Sequence, residues 1–257
     1  MKIRVLGCSG GIGAGLRTTS YLIDDDILLD AGTGVGDLTD EEMSKIRHVF
    51  LTHSHLDHVT SLPLLVDSIF DHIKEPLVVH AQAVTIEVLK THFFNWDIWP
   101  DFAELPSREE PVMTYKAIKP GDVHELGGRT FEVIPVNHIV PTVGYRIVSP
   151  KGGVFAFSGD TTTNDTFWAA LNAHDRLDLM FVEVAFEDAH LELSKLSRHY
   201  CPQLLAEDLK KLNHHPSIYL THFNPGRERE ETIYKECLTQ LGSKAFKRLA
   251  ANDTFDL

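Results

Sequence analysis

The chain has 257 residues, of which 43% are hydrophobic and 24% are charged, a composition typical of globular proteins that argues against a disordered chain. Acidic residues outnumber basic ones by 37 to 24, a net charge of −13, which argues against a protein that grips a nucleic-acid polymer by bulk electrostatics. A small anionic substrate stays compatible with this charge, because bound metal cations would supply positive charge locally.

The cysteines and the amino terminus bear on the cellular location. Cys8, Cys201 and Cys237 are scattered and lack Cys-x-x-Cys spacing, so neither a disulfide framework nor a thiolate zinc site is predicted. The opening residues MKIRVLGCSGG lead directly into a strand-like run and lack the apolar stretch of a signal peptide. No apolar run approaches the ~20 residues that span a bilayer. We therefore expect a cytoplasmic protein without membrane association.

Strand-like and helix-like patterns alternate along the chain without a low-complexity linker, which predicts an α/β protein formed by a single domain, 1–257. The runs with strand character are Lys2–Cys8, Tyr21–Ile23, Ile27–Ala31, His48–Thr52, Leu77–His80, Thr130–Val136, Val143–Val148, Val154–Phe157, Leu179–Val184 and Ser217–Leu220. The runs with helical character are Leu62–Phe70, Val84–Phe94, Thr166–Ala173, Pro202–Leu212 and Glu230–Leu241. The three aspartates at 24–26 predict a hairpin turn.

An aromatic and proline-rich segment at about 93–111, FFNWDIWPDFAELPSREEP, departs from this alternation. It is predicted to be an irregular cap. Its aromatic rings could hold a nucleobase by stacking, and Trp96 and Trp99 could instead pack on the body of the protein or on a second subunit. The sequence leaves these interpretations open.

Polar residues follow several of the apolar runs. His53, His138, Asp160 and His222 each come directly after a strand-like run, or within a few residues of one. A sheet whose strands end at one edge would bring these four side chains together. The pattern therefore predicts a polar site at such an edge.

The segment THSHLDH, residues 52–58, concentrates metal-binding side chains. His53 and His55 are two residues apart and point to the same side of an extended segment. Asp57 and His58 come where the chain turns into the next helix, so they can reach an adjacent ion. Imidazole and carboxylate ligands without thiolate suit zinc, manganese or iron. We expect two divalent metal ions as cofactors.

With this motif, His-x-His-x-Asp-His after a strand, the chain resembles the metallo-β-lactamase superfamily. The later motifs of that family also follow in order, with His138 in PVNHIVPT, Asp160 in FSGDT and His222 in YLTHFNP. The resemblance implies an αββα sandwich, in which two mixed β-sheets pack face to face and are flanked by helices. It also implies two metal sites that share the bridging carboxylate of Asp160, the first formed by His53, His55 and His138 and the second by Asp57, His58 and His222.

Three further segments resemble the class II 3′,5′-cyclic-nucleotide phosphodiesterases: LGCSGGIGAG with TTSYLI, VLKTHFFNWDIWPDF, and LSRHYCPQLLAEDLKKL with IYLTHFNP. The implied reaction is hydrolysis of cyclic AMP or cyclic GMP to the 5′-monophosphate by a hydroxide that bridges the two metals. Asp57 and His199 are the expected catalytic residues, with His199 protonating the leaving 3′-oxygen or holding the phosphate. The alternative for His199 is that it only caps the following helix.

Other functions stay open at this point. A tRNA-processing nuclease of the same fold would keep every metal ligand, and so would a non-hydrolytic di-iron oxygen sensor. An inactive binding module is the third alternative, and the intact set of ligands argues against it. The glycines of GCSGGIGAG match neither a dinucleotide fingerprint nor a phosphate-binding loop, so a tight turn beside the site is expected. We expect a small cyclic nucleotide as the partner, no nucleic-acid polymer, and leave a homodimer open.

Overall fold

The structure is a computed structural model that describes residues 1–242 and 246–257. Its strands are β1 Lys2–Gly7, β2 Ser20–Ile23, β3 Ile27–Leu29, β4 His48–Phe50, β5 Leu77–Gln82, β6 Met113–Ile118, β7 Val123–Leu126, β8 Arg129–Pro135, β9 Val143–Val148, β10 Val154–Phe157, β11 Leu179–Glu183, β12 Ser217–Thr221, β13 Phe246–Arg248 and β14 Thr254–Asp256. Its helices are α1 Asp40–Met43, α2 Leu56–Val59, α3 Leu62–Ile69, α4 Ala83–His92, α5 Thr166–Asn172, α6 Leu191–Ser197, α7 Pro202–Leu209 and α8 Arg227–Leu241. Among these helices none is long and apolar enough to cross a membrane.

The strands form two mixed sheets. The first has the order β14-β1-β2-β3-β4-β5-β6, antiparallel up to β3 and parallel from β3 to β6. The second has the order β13-β12-β11-β10-β9-β8-β7, parallel from β13 to β10 and antiparallel beyond. Two mixed sheets with helices outside confirm the predicted αββα sandwich.

Three apolar clusters hold the layers together. The central cluster contains buried side chains from both sheets, such as Val5, Phe50 and Phe181, and fills the space between them. A second cluster packs α3 on the outer face of the first sheet, and a third packs α5, α7 and α8 on the outer face of the second. Because each sheet is covered on both faces, its central strands are apolar on both sides, as in the fully buried β10 and β11.

The direction of the strands determines where the polar residues meet. Strands β8, β10, β11 and β12 run the same way, because β8 and β10 both pair antiparallel with β9 while β10, β11 and β12 pair parallel. Their carboxyl ends therefore lie at one edge of the second sheet. The residues that follow them include His138, Asp160 and His222, as the sequence pattern predicts.

Most predicted elements are confirmed to within a few residues, including the hairpin of β2 and β3 and the two helices that begin with proline in their first turn, α3 and α7. The short elements α1, α6, β6, β7, β13 and β14 lie outside the predicted runs. Several of these have few buried residues, such as β7, where none is buried, so their hydrophobic pattern is weak.

The aromatic segment 93–111 packs on the body of the protein, at the opposite end of the first sheet from the histidine motif. Phe94 and Phe102 are each 2% exposed in the outer cluster of the first sheet. The backbone of Phe102 accepts a hydrogen bond from Met113, at the start of β6, whereas His53 follows the far end of the parallel strand β4. Nucleobase stacking on this segment within one subunit is therefore wrong as an interpretation, while Trp96 stays 57% exposed.

Candidate metal centre

The seven residues expected to bind metal come together as two groups that share one carboxylate. Each group offers ligand atoms that all lie within 4.8 Å of one another. The first group is His53, His55, His138 and Asp160, and the second is Asp57, His58, Asp160 and His222. The division matches the sequence-based expectation for every residue, with Asp160 between the two groups.

The local structure of the motif explains how neighbouring residues reach different groups. After β4 the chain stays extended through His53 and His55, whose rings lie edge to face with centroids 4.6 Å apart. The one-turn helix α2 begins at Leu56, and its first turn carries Asp57 and His58. The change from extended to helical backbone turns these last two side chains toward the second group.

Asp160 occupies the centre of the cluster. Its Oδ2 lies 3.2 Å from Nε2 of His58, 3.3 Å from Nε2 of His222 and 3.6 Å from Nε2 of His53. Oδ2 of Asp57 lies 3.5 Å from Nε2 of His58 and 3.6 Å from Nε2 of His222. Three imidazole nitrogens thus point at one carboxylate oxygen, an arrangement that suits a bridging ligand.

Residues behind the cluster hold the outer nitrogens of the histidines. Nδ1 of His58 donates to Asp30 at 2.7 Å, and the same carboxylate accepts from the amide and the hydroxyl of Thr52. Because the Thr52 hydroxyl donates to Asp30, its oxygen is free to accept from Nδ1 of His53 at 2.9 Å. Both rings thereby carry their proton on Nδ1 and turn Nε2 inward, which is how metal-binding histidines are usually oriented.

The remaining histidines have similar supports. Nδ1 of His222 is in hydrogen-bond contact with the buried hydroxyl of Thr19 at 3.1 Å, and Nδ1 of His138 donates to the backbone oxygen of Arg198 at 3.0 Å. Nε2 of His138 faces Nδ1 of His55 at 3.2 Å. The inward nitrogens of the first group are therefore Nε2 of His53, Nδ1 of His55 and Nε2 of His138.

The unsatisfied atoms of the cluster fit bound cations. Within the described ranges, Nε2 of His53, Nε2 of His58 and Oδ1 of Asp160 are buried without a hydrogen-bond partner, which is costly unless a ligand satisfies them. Burial lowers the pKa of His53 well below its usual range and that of His138 to about 4, so both are neutral at pH 7, the form that binds metal. Burial disfavours the Asp160 carboxylate, but His222 and His58 outweigh it and hold its pKa well below the usual range.

His199 lies over the cluster, between the two groups. Its ring stacks on His222 with centroids 5.5 Å apart and meets His138 edge to face at 4.8 Å. Its Nδ1 donates at 2.9 Å to Glu183, which is fully buried and also accepts from the amide of Thr161. Burial acts to lower the pKa of His199, but the Glu183 carboxylate outweighs it and raises the pKa to about 9.

The glycine-rich loop borders the site as a tight turn. Its Gly10 amide donates to the oxygen of Phe223, and the amide of His222 donates to the oxygen of Cys8. A Cβ on Gly10 would lie 2.9 Å from the backbone oxygen of His222, so only glycine lets the loop approach this closely. The loop therefore positions the backbone of His222, as the sequence-based preference for a turn predicts.

Five supporting residues escaped the sequence-based prediction: Thr19, Asp30, Thr52, Glu183 and Arg198. Asp30 and Glu183 did carry a signal, since each is an acidic residue at the end of an apolar run, ILLD and LMFVE. Both side chains are fully buried, and carboxylates are almost never fully buried unless they are paired. Thr52 and Arg198 carried no comparable signal.

A family model described as a beta-lactamase superfamily domain matches residues 26–223, a range that includes all seven candidate metal ligands. The chain is 27% identical to a protein of Yersinia pestis named probable 3′,5′-cyclic-nucleotide phosphodiesterase, over 93% of this chain and 83% of that protein. It is also 31% identical to a ribonuclease Z of Methanococcus maripaludis, over 56% of this chain and 48% of that protein.

Solved structures share the fold at lower sequence identity. The crystal structure of unliganded yeast PDE1 matches with a TM-score of 0.84 and 18% identity, covering 100% of this chain and 99% of that chain. At this level of identity the likeness concerns the fold alone. Together with the family match over most of the chain and the two metal-binding groups, it leads to one assignment: the chain belongs to the metallo-β-lactamase superfamily.

Proposed function

We propose that this protein is a phosphodiesterase that hydrolyses 3′,5′-cyclic nucleotides to 5′-monophosphates with the help of two divalent metal ions. The observation that carries the proposal is the pair of ligand groups sharing Asp160 beneath the His199–Glu183 pair. This arrangement supports the proposal because it would put two cations and a proton donor around one small space.

In the proposed site, His53, His55 and His138 would hold one ion, Asp57, His58 and His222 would hold the other, and Asp160 would belong to both sets of ligands. Bound there, the two cations would act as Lewis acids on the phosphoryl oxygens and would make water a nucleophile at neutral pH. The neutral imidazoles of His53 and His138 and the ionised carboxylate of Asp160 suit this cation pair.

His199 is the proposed proton donor. Hydrolysis adds water across the bond between phosphorus and the 3′-oxygen, so the water oxygen bonds to phosphorus and the 3′-oxygen gains a proton. Nδ1 of His199 is committed to Glu183, which leaves Nε2 to donate that proton. The Asp57 carboxylate, 28% exposed, is placed to accept the proton that the water loses.

Two observations support a cyclic nucleotide as the substrate. A relative that aligns over 93% of this chain carries the name of a probable cyclic-nucleotide phosphodiesterase, and the net charge of −13 disfavours a polyanionic partner. Cleavage of a tRNA precursor is the second candidate, since relatives named ribonuclease Z also match, one at 31% identity over 56% of the chain and another at 23% identity over 84% of it.

The test is to load the purified protein separately with zinc, manganese and iron, supply cyclic AMP or cyclic GMP, and separate the products by chromatography. We expect metal-dependent release of the 5′-monophosphate. His55→Ala should abolish it, whereas His92→Ala, which changes an exposed histidine on α4, should behave as wild type.

Each contrary result has a distinct meaning. Turnover that survives in His55→Ala would come from a contaminating enzyme. No turnover with any metal, despite two bound ions per chain, would refute the cyclic-nucleotide proposal. Cleavage of a tRNA precursor under the same conditions would then favour the second candidate, and iron-dependent visible absorbance that shifts with oxygen would favour a sensor.

A further inference from the structure

Arg198 is joined to His138 by two hydrogen bonds that run in opposite directions. The backbone oxygen of Arg198 accepts from Nδ1 of the His138 ring at 3.0 Å. The guanidinium Nη1 of Arg198 donates to the backbone oxygen of His138 at 2.8 Å. One residue thus holds both the ring and the main chain of the histidine.

This double contact fixes how His138 faces the first metal group. A carbonyl oxygen can only accept, so the proton of the His138 ring stays on Nδ1 and the lone pair stays on Nε2. Nε2 is the atom that faces Nδ1 of His55 at 3.2 Å. The guanidinium bond adds a second point of attachment, in a loop where the following residue, Ile139, is 57% exposed.

The backbone of Arg198 is held in a conformation that arginine rarely adopts. Its φ of 56° and ψ of 51° lie in the left-handed region, at the end of helix α6. Glycine is the usual residue at such a helix end. An arginine there indicates that the side chain has a role that glycine cannot fill.

We propose that Arg198 is a positioning residue that fixes His138 and thereby sets the metal affinity of the group formed by His53, His55, His138 and Asp160. The inference rests on the metal ligands proposed above. Arg198 contacts a proposed ligand and is separate from the chemistry itself. Residues that orient metal-binding histidines typically contribute 10–100-fold in metal affinity.

The experiment measures Zn²⁺ binding to the metal-free protein by competition with a chromophoric chelator. Arg198→Gly keeps the backbone oxygen and accommodates the positive φ, so it removes the guanidinium bond without adding backbone strain. Because the bond from the His138 ring to the backbone oxygen is kept, we expect one of two Zn²⁺ to bind about 10-fold more weakly, the lower end of the usual range, with Arg198→Lys in between. Lys195→Ala, at an exposed residue of α6 whose side chain pairs with Glu192, is the matched control and should bind as wild type.

His138→Ala separates failure of this inference from failure of the proposed ligands. If His138→Ala weakens one Zn²⁺ and Arg198→Gly leaves both unchanged, the role of Arg198 is refuted. If His138→Ala itself leaves both unchanged, the ligand assignment fails. Turnover of cyclic AMP by Arg198→Gly should return to the wild-type rate as Zn²⁺ is raised. A raised KM that excess Zn²⁺ does not restore, with unchanged Zn²⁺ affinity, would mean substrate contact and overturn the proposal.

Discussion

His80 should make the protein sensitive to acid, independently of the metal centre. Its ring is 1% exposed and stacks on Phe50 with centroids 4.1 Å apart. Its Nε2 lies 3.2 Å from Nδ1 of His48, and its buried Nδ1 has no hydrogen-bond partner among the described residues. Burial first, and then the neighbouring His48, Lys116 and His124, lower the pKa of His80 to about 3.

The direction and size of the effect follow from the difference between the folded and unfolded states. The unfolded chain binds the proton with an ordinary histidine pKa of about 6.5, well above the folded value, so protonation favours unfolding. The contribution of neutral His80 to the free energy of unfolding is fully present above about pH 6.5. It is lost as the pH falls from there toward about 3. Between pH 7 and pH 5 this one group lowers the free energy of unfolding by about 2 kcal/mol.

The assay is urea unfolding of wild type and His80→Phe at both pH values. Phenylalanine keeps the stacking on Phe50 and loses the titration, and any fixed cost of losing the His48 bond cancels when the two pH values are compared. The variant should lose about 2 kcal/mol less than wild type on acidification. The metal ligands affect both proteins alike. Equal losses in the two proteins would refute the reasoning, and His92→Phe, at an exposed position, should follow wild type.

Three further predictions concern the candidate metal centre and the stability of the fold around it. Glu183→Gln should lower kcat by about 100-fold or more while two metal ions stay bound, because His199 loses the carboxylate that orients it; metal analysis beside steady-state kinetics checks this. Arg129→Met should lower the free energy of unfolding in urea by about 2 kcal/mol, because Arg129 is 5% exposed and its guanidinium forms a paired contact with Asp26 and a further one with Asp24. Removing metal with a chelator should lower the melting temperature in a scan, since ions at 1,000 times their Kd stabilise by about 4 kcal/mol. An unchanged kcat in the first variant, or unchanged stability in the second, would contradict the role given to that contact. An unchanged melting temperature after chelation would contradict stabilisation by bound metal.

Four of the candidate metal ligands could be predicted because they lie close together in the sequence. His53, His55, Asp57 and His58 lie within six residues, so their spacing alone indicates a metal site. The distant candidates, His138, Asp160 and His222, were assigned through the resemblance to the metallo-β-lactamase motifs, and each also follows a strand-like run. Because the strands end at the same edge of the sheet, residues that are far apart in the sequence lie close together in one cluster.

The supporting residues could not be predicted in the same way. Asp30 acts on His58, 28 positions away, and Thr19 acts on His222, 203 positions away. A threonine or aspartate is common at strand ends and turns, so its type says little before its neighbour in space is known. The role of the aromatic segment stayed open in the sequence for a related reason, since the end of a sheet at which a connection lies depends on strand direction.

Several residues of the site have a strained backbone conformation, which the hydrophobic pattern of the sequence cannot reveal. Three of the six non-glycine residues with positive φ in the described ranges belong to the metal centre: Asp30 at 58°, His222 at 63° and Arg198 at 56°. Each such residue is typically destabilising by about 1–3 kcal/mol. The strained conformation of Asp30 is maintained because contacts from Thr52 and His58 hold its buried carboxylate. That of His222 is maintained because Thr19 contacts its ring and the backbone oxygen of Cys8 accepts from its amide. Glycine would relieve the strain at all three positions but would remove a ligand, an orienting carboxylate or an anchoring guanidinium. The strained residues therefore lie in the candidate metal centre, where the side chain of each makes contacts that glycine could not make.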